Sequence, residues 1–119
     1  AAAYIGRIVT AKSGIVYKIE MACIEKPAGS NTSFDIDLVS STHSRAEDQT
    51  YDGGGGSAEL SLIAAGGDWQ VGMRKMSAVG LNWANLPADY IYLANGSGAN
   101  SGGTYTAGKF IIKLYGANF

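Results

Sequence analysis

The sequence predicts an all-β chain, an antiparallel β-sandwich of jelly-roll-like character with one short helix. Apolar and polar residues alternate with period two through most of the apolar segments, as half-buried strands require. Seventeen glycines, clustered with Asn, Ser and Pro, interrupt those segments at turn-like spacing. In the C-terminal third, two apolar segments at residues 89–94 and 109–115 flank a polar tip built from Gly, Ser, Asn, Ala and Thr.

Residues 4–11 alternate and read as a first strand. Over residues 14–24 the apolar set Ile15, Tyr17, Ile19, Met21 and Cys23 falls on one face, with Lys18 and Glu20 on the other. Pro27, Gly29 and Asn31 then mark a turn. Phe34, Ile36 and Leu38 alternate with Asp35 and Asp37, which predicts a half-buried strand with an acidic outer face.

Residues 40–56 are polar and end in four consecutive glycines, so they read as a long loop that buries too little apolar surface to order itself. Residues 57–66 carry a capping Ser57, an early Glu59, several helix formers and a closing Gly66, the pattern of a short helix, with a strand as the alternative over so short a span. Trp69, Val71, Met73 and Lys75 alternate with Gln70, Gly72, Arg74 and Met76, giving another strand. A short strand at residues 81–86 before Pro87 and the two C-terminal segments bring the total to about six to eight.

A chain of 119 residues suits a single domain, because one core of that size buries roughly two-thirds of the unfolded surface. Residues 1–7 read as an N-terminal arm on it. Hydrophobic residues make up 46% and charged residues 16%, a globular balance, and no apolar run nears the roughly 20 residues a membrane-spanning helix needs. A soluble protein without a secretory signal is expected. The sequons at Asn31 and Asn95 therefore carry no expectation of glycosylation.

The formal charge of −1 is spread along the chain without a basic stripe, so no direct nucleic-acid partner is expected. The single Cys23 can form no internal disulfide and reads as an inert core residue.

No constellation for catalysis emerges. Residues 103–109 match the first seven positions of a phosphate-binding loop, but Phe110 stands where Ser or Thr must ligate magnesium, and a strand-like run follows instead of a helix. Residues 96–101 lack the last glycine of a dinucleotide fingerprint. His43, the sole histidine, and Glu47 fall short of a zinc ligand set, and Glu47, Asp48 and Asp52 lack the spacing of a calcium loop. Asp35 and Asp37 share a face as a glycosidase pair would, yet nothing nearby in sequence raises one pKa. No nucleophile elbow surrounds any serine. The expectation is a non-enzymatic chain with no cofactor, no metal and no catalytic residue. Trp69, Trp83, Tyr90, Tyr92 and Tyr105 suit either a sugar-stacking platform or core and subunit contacts.

The pattern Leu86-Pro87-Ala88-Asp89-Tyr90-Ile91-Tyr92-Leu93, a Gly/Ser/Asn loop, and then Gly103-Thr104-Tyr105-Thr106-Ala107-Gly108-Lys109-Phe110-Ile111-Ile112 resembles small β-rich structural proteins of tailed bacteriophages, above all capsid decoration, or cement, proteins. The resemblance covers the last third of the chain. It implies a viral structural protein made in the host cytoplasm and carried on the outer capsid surface of the virion. It further implies a homotrimeric β-sandwich that clamps neighbouring major capsid proteins and stabilises the shell by mass action and avidity. On that expectation Trp69, Trp83 and Tyr92 form the subunit interface, and Tyr4, Ile5 and Arg7 of the arm contact the capsid by lying along another chain's sheet edge. The alternative is a carbohydrate- or receptor-binding β-sandwich module of a phage tail or adhesin. A small hydrolase using Asp35 or Asp37 is a third reading.

Overall fold

The computed structural model describes residues 5–7, 14–30, 34–41, 59–64, 66–77, 90–95 and 104–117. The chain is all-β, and no helix occurs among the described residues. Its strands are β1 (Gly6–Arg7), β2 (Ile15–Gly29), β3 (Ile36–Ser41), β4 (Glu59–Ile63), β5 (Arg74–Met76), β6 (Tyr90–Asn95) and β7 (Tyr105–Ala117). They form two antiparallel sheets, one ordered β1-β6-β3-β4 and the other β5-β2-β7. The core lies between them, with Val16, Ile19, Met21 and Cys23 from β2 meeting Ile36, Leu38, Leu62, Ile63 and Ile91 from the other sheet, and Trp69 among them. This is a sandwich-like arrangement.

The alternation in β2 holds from Ile19 to Cys23 and breaks before it. Val16 pairs with Gly116 and Lys18 with Tyr115, so two residues of β2 oppose one of β7 across a bulge. That extra residue turns Val16 into the core at 2% exposure and leaves Ile15 and Tyr17 facing out at 48% and 56%. The expected single apolar face of residues 15–23 is corrected accordingly.

β2 also runs beyond the expected turn, through Pro27 to Gly29. Register shifts on either side of Glu25 make this feasible, since Pro27 falls between the Glu25–Lys109 and Ala28–Ala107 pairs, where Lys26 and Pro27 of β2 oppose the single Gly108 of β7 and no ladder N–H is demanded of Pro27. Gly108 lies against it with φ of +132°, and a Cβ there would stand 3.1 Å from the Pro27 Cα. The strand end is closed by the Ser30 N–H donating to the Thr104 carbonyl at 3.1 Å and the Thr104 N–H donating to the Ser30 Oγ at 3.1 Å.

Residues 59–63 form a strand where the capping pattern predicted a helix. β4 pairs with β3 from Ser41–Glu59 to Leu38–Ile63, with a register shift that brings both Leu62 and Ile63 into the core at 1% and 2% exposure. An isolated helix of ten residues is marginal in water, whereas the ladder with β3 satisfies the same backbone groups and buries two aliphatic side chains together. Gly66 has the positive φ (+70°) its position suggested, but the element before it is a strand that ends at Ile63.

The strand expected over residues 69–76 shrinks to β5. Gly72, with φ of +89°, makes a turn in which the Met73 N–H donates to the Gln70 carbonyl at 3.1 Å. The segment thereby crosses between sheets. Trp69 N–H donates to the Phe34 carbonyl at 3.4 Å beside β3, while Gly72 N–H and the Met73 carbonyl bond Cys23 of β2 at 2.9 Å each.

β6 and β7, the two strands that flank the polar tip, belong to different sheets and do not pair with each other. Tyr105 ties them at their near ends, its hydroxyl donating to Asn95 Oδ1 at 2.9 Å.

Candidate interaction surface

The outer face of the β5-β2-β7 sheet follows from the register. Lys18 lies beside Tyr115, Glu20 between Met76 and Lys113, Ala22 between Arg74 and Ile111, and Glu25 beside Lys109. Ile24, Met76 and Ile111 are half exposed at 52%, 52% and 46%, giving the face an aliphatic centre. One end is aromatic, with Tyr17 and Tyr115 rings 6.3 Å apart and the Lys18 Nζ 4.8 Å from the Tyr115 centroid. Lys18, Arg74, Lys109 and Lys113 lie around it in excess over Glu20 and over Glu25, which pairs with Lys109.

Charge is divided between the sheets. β2, β5 and β7 contain Lys18, Lys26, Arg74, Lys75, Lys109 and Lys113 against Glu20 and Glu25, whereas β1, β3, β4 and β6 contain Arg7 against Asp37 and Glu59. The linear sequence hides this, because the basic residues are interleaved with acidic ones along the chain and gather only when β2 and β7 pair.

At the far end of the face, Glu25 accepts from the Gly108 amide at 3.1 Å and pairs with the Lys109 ammonium at 3.2 Å. The amide first, and then the ammonium, hold the Glu25 carboxyl below its ordinary range. These are residues of the apparent phosphate loop, and all are used within the sheet. Gly108 lies opposite the β2 bulge at Lys26 and Pro27, Lys109 neutralises Glu25, and Phe110 packs edge-on against Trp69 at 5.1 Å.

Trp69, expected at a subunit interface, is instead the largest wholly buried side chain, with no exposed area, and its indole N–H donates to the Ile36 carbonyl at 2.8 Å. It belongs to this chain's core. Tyr92, placed in the same interface, is 5% exposed on β6 beside Val39, which is fully buried. Ile36, Leu38 and Ile91 fill the opposite, core-facing side, so both faces of this sheet are covered at its centre.

Trp83 and Tyr4 lie outside the described residues, as do His43, Glu47, Asp48 and Asp52. Ile5 is half exposed, and its N–H donates to the Ile91 carbonyl at 2.8 Å. Gly6 and Arg7 pair with Ile91 and Tyr90. The backbone of this stretch is therefore engaged on one side by its own β6.

Asp35, just before β3, is 4% exposed with Oδ1 lacking a hydrogen-bond partner, and Asp37 on β3 is partly buried, so these two carboxylates do not form the solvated face that the alternation predicted. No group of three or more His, Cys, Asp or Glu side chains converges on a metal-sized site among the described residues. Cys23 is buried, burial pushes its thiol above the ordinary 9.0, and its Sγ lies 3.3 Å from the Glu25 carbonyl. A thiol so placed is a poor nucleophile.

The residues that sequence reasoning missed are Tyr17, Ile24, Met76 and Ile111. Only the bulge at Val16–Lys18 and the β2–β7 register bring them to one surface. Searches against known protein families, curated proteins and solved structures find no match to this chain.

Proposed function

We propose that this chain is a non-enzymatic assembly protein, a capsid decoration protein that binds neighbouring major capsid proteins on the outside of a shell and stabilises it. The observation that carries this reading is the outer face of the β5-β2-β7 sheet, an exposed aliphatic centre of Ile24, Met76 and Ile111 bordered by cations. An apolar centre within a polar rim is the anatomy of a protein–protein interface. The excess of Lys and Arg around it suits an acidic protein surface. The C-terminal resemblance supplies the class of partner. Subunit contacts, including those of the trimer that the resemblance implies, fall to exposed residues in place of Trp69 and Tyr92.

The test is co-sedimentation of the purified chain with capsid shells assembled from a tailed-phage major capsid protein of the same source, followed by shell melting with and without the chain. Saturable binding that raises shell stability, and is weakened by Ile111→Glu, is the expected result. A chain that ignores shells but binds saturably on a glycan array would replace this reading with the carbohydrate-binding one.

A further inference from the structure

β7 is the long flank of its sheet. Over thirteen residues it has β2 on one side and, among the described residues, no strand on the other. Exposure agrees independently, since no residue of β7 is fully buried, and even Phe110 and Ile112, which pack against the core, keep part of their surface exposed. From Phe110 to Tyr115 the pairing with β2 is free of register shifts, so this stretch is regular and mostly apolar. An edge of that kind is a template for another strand.

We propose that β7 pairs antiparallel with β7 of a second copy of this chain, about a two-fold axis at Ile112. The register follows from chemistry. Directly opposed residues of an antiparallel pair share a face, so the axis must pass through a residue for the two sheets to continue with their cores on the same side. Centring on Ile111 would oppose Lys109 to Lys113 twice, and centring on Lys113 would oppose it to itself, both destabilising. Centring on Phe110 opposes Ile112 to Gly108, whose φ of +132° breaks the regular strand. Centring on Leu114 sets Ile112 against Gly116 and Ile111 against Ala117.

Centring on Ile112 avoids all of these. On the core side it sets Phe110 against Leu114 and Ile112 against itself. On the outer side it sets Ile111 against the stem of Lys113 and Lys109 against Tyr115, the kind of cation–aromatic contact that Lys18 already makes with Tyr115 inside the chain. Two three-stranded sheets become one continuous sheet with β7 and its copy at the middle. The pairing is isologous and closes on itself, so it removes two open edges without leading to fibres. It is two-fold, and so distinct from the three-fold association that the capsid resemblance implies. It does not depend on shell binding.

Light scattering of the full chain across concentrations, with disulfide trapping at defined positions, tests the contact. A reversible dimer is expected. Under mild oxidation Ile112→Cys should cross-link to itself, whereas Lys113→Cys alone should not. A mixture of Ile111→Cys and Lys113→Cys chains should cross-link to each other, and because both positions are on the outer face this arm survives if the Ile112 change disturbs folding. Cys23, at 1% exposure, stays out of the exchange. A monomer at all concentrations, a trimer without 111–113 cross-links, or self-cross-linking of Lys113→Cys would each overturn the proposal. Co-sedimentation with shells is read separately, so loss of one does not entail loss of the other.

Discussion

The indole N–H of Trp69 donates to the carbonyl of Ile36 at 2.8 Å, and this bond fastens the segment between the two sheets to the first residue of β3. The same ring meets Phe110 of β7 edge-on, so one side chain touches both sheets. Trp69→Phe keeps an aromatic ring but deprives a buried carbonyl of its donor, at about 1–3 kcal/mol. Trp69→Ala also opens a cavity, at about 3–5 kcal/mol. Urea denaturation should return that order. If the alanine change were neutral in stability but altered oligomer mass, Trp69 would be a subunit contact after all.

Ser40 is wholly buried on β3, and its Oγ has no hydrogen-bond partner. Removing an unsatisfied buried hydroxyl relieves a desolvation cost, so Ser40→Ala should stabilise the fold by about 1 kcal/mol. A loss of that size in thermal or chemical melts would instead reveal a bound internal water holding the hydroxyl.

Gly29 and Gly108 are required for different reasons. A Cβ on Gly29 would collide with the Thr104 carbonyl oxygen, a backbone atom that cannot swing aside. A side chain on Gly108 would meet Pro27 and strain a φ of +132°. Alanine at either should cost about 1–3 kcal/mol. The Gly108 change should also weaken the bond to Glu25, so the acid limb of stability against pH is a second readout.

Glu25 has a depressed carboxyl pKa in the folded chain. A depressed acid contributes stability that is fully present above its unfolded value, close to 4.5, and is lost as pH falls through the lower folded value. The carboxylate is well solvated, so the increment is small. Glu25→Gln should flatten the acid limb of stability against pH below 4.5 and leave the limb above neutrality unchanged. An unaltered acid limb would show that the Gly108 amide and Lys109 do not bind the carboxylate in solution.

Much of the fold is legible in the linear chain, and its misreadings share one cause. The alternation of Ile19, Met21 and Cys23, and of Ile36 and Leu38, marks strands correctly because a period of two has a single structural meaning when one face is buried. Residues 57–66 satisfy helix-capping rules equally well, and only the partner strand β3 decides against them. Tyr17 reads as core until a one-residue bulge turns it outward. Trp69 and Tyr92 read as contact residues because an aromatic ring carries no mark of which partner will cover it.

By itself, the sequence determined that this chain is built of antiparallel strands around a small core and that its glycine-rich phosphate-loop look-alike lacks the hydroxyl that would ligate magnesium. Those conclusions depend on local chemistry, on side-chain period and on the absence of a hydroxyl at Phe110. Tertiary structure alone decided which strands became neighbours, that β6 and β7 went to separate sheets, and that Lys18, Arg74, Lys109 and Lys113 gathered around Ile24, Met76 and Ile111 on one face. Pairing between residues as distant as Val16 and Gly116 is set by the free energy of the whole core, and a single bulge reverses the face of every residue before it.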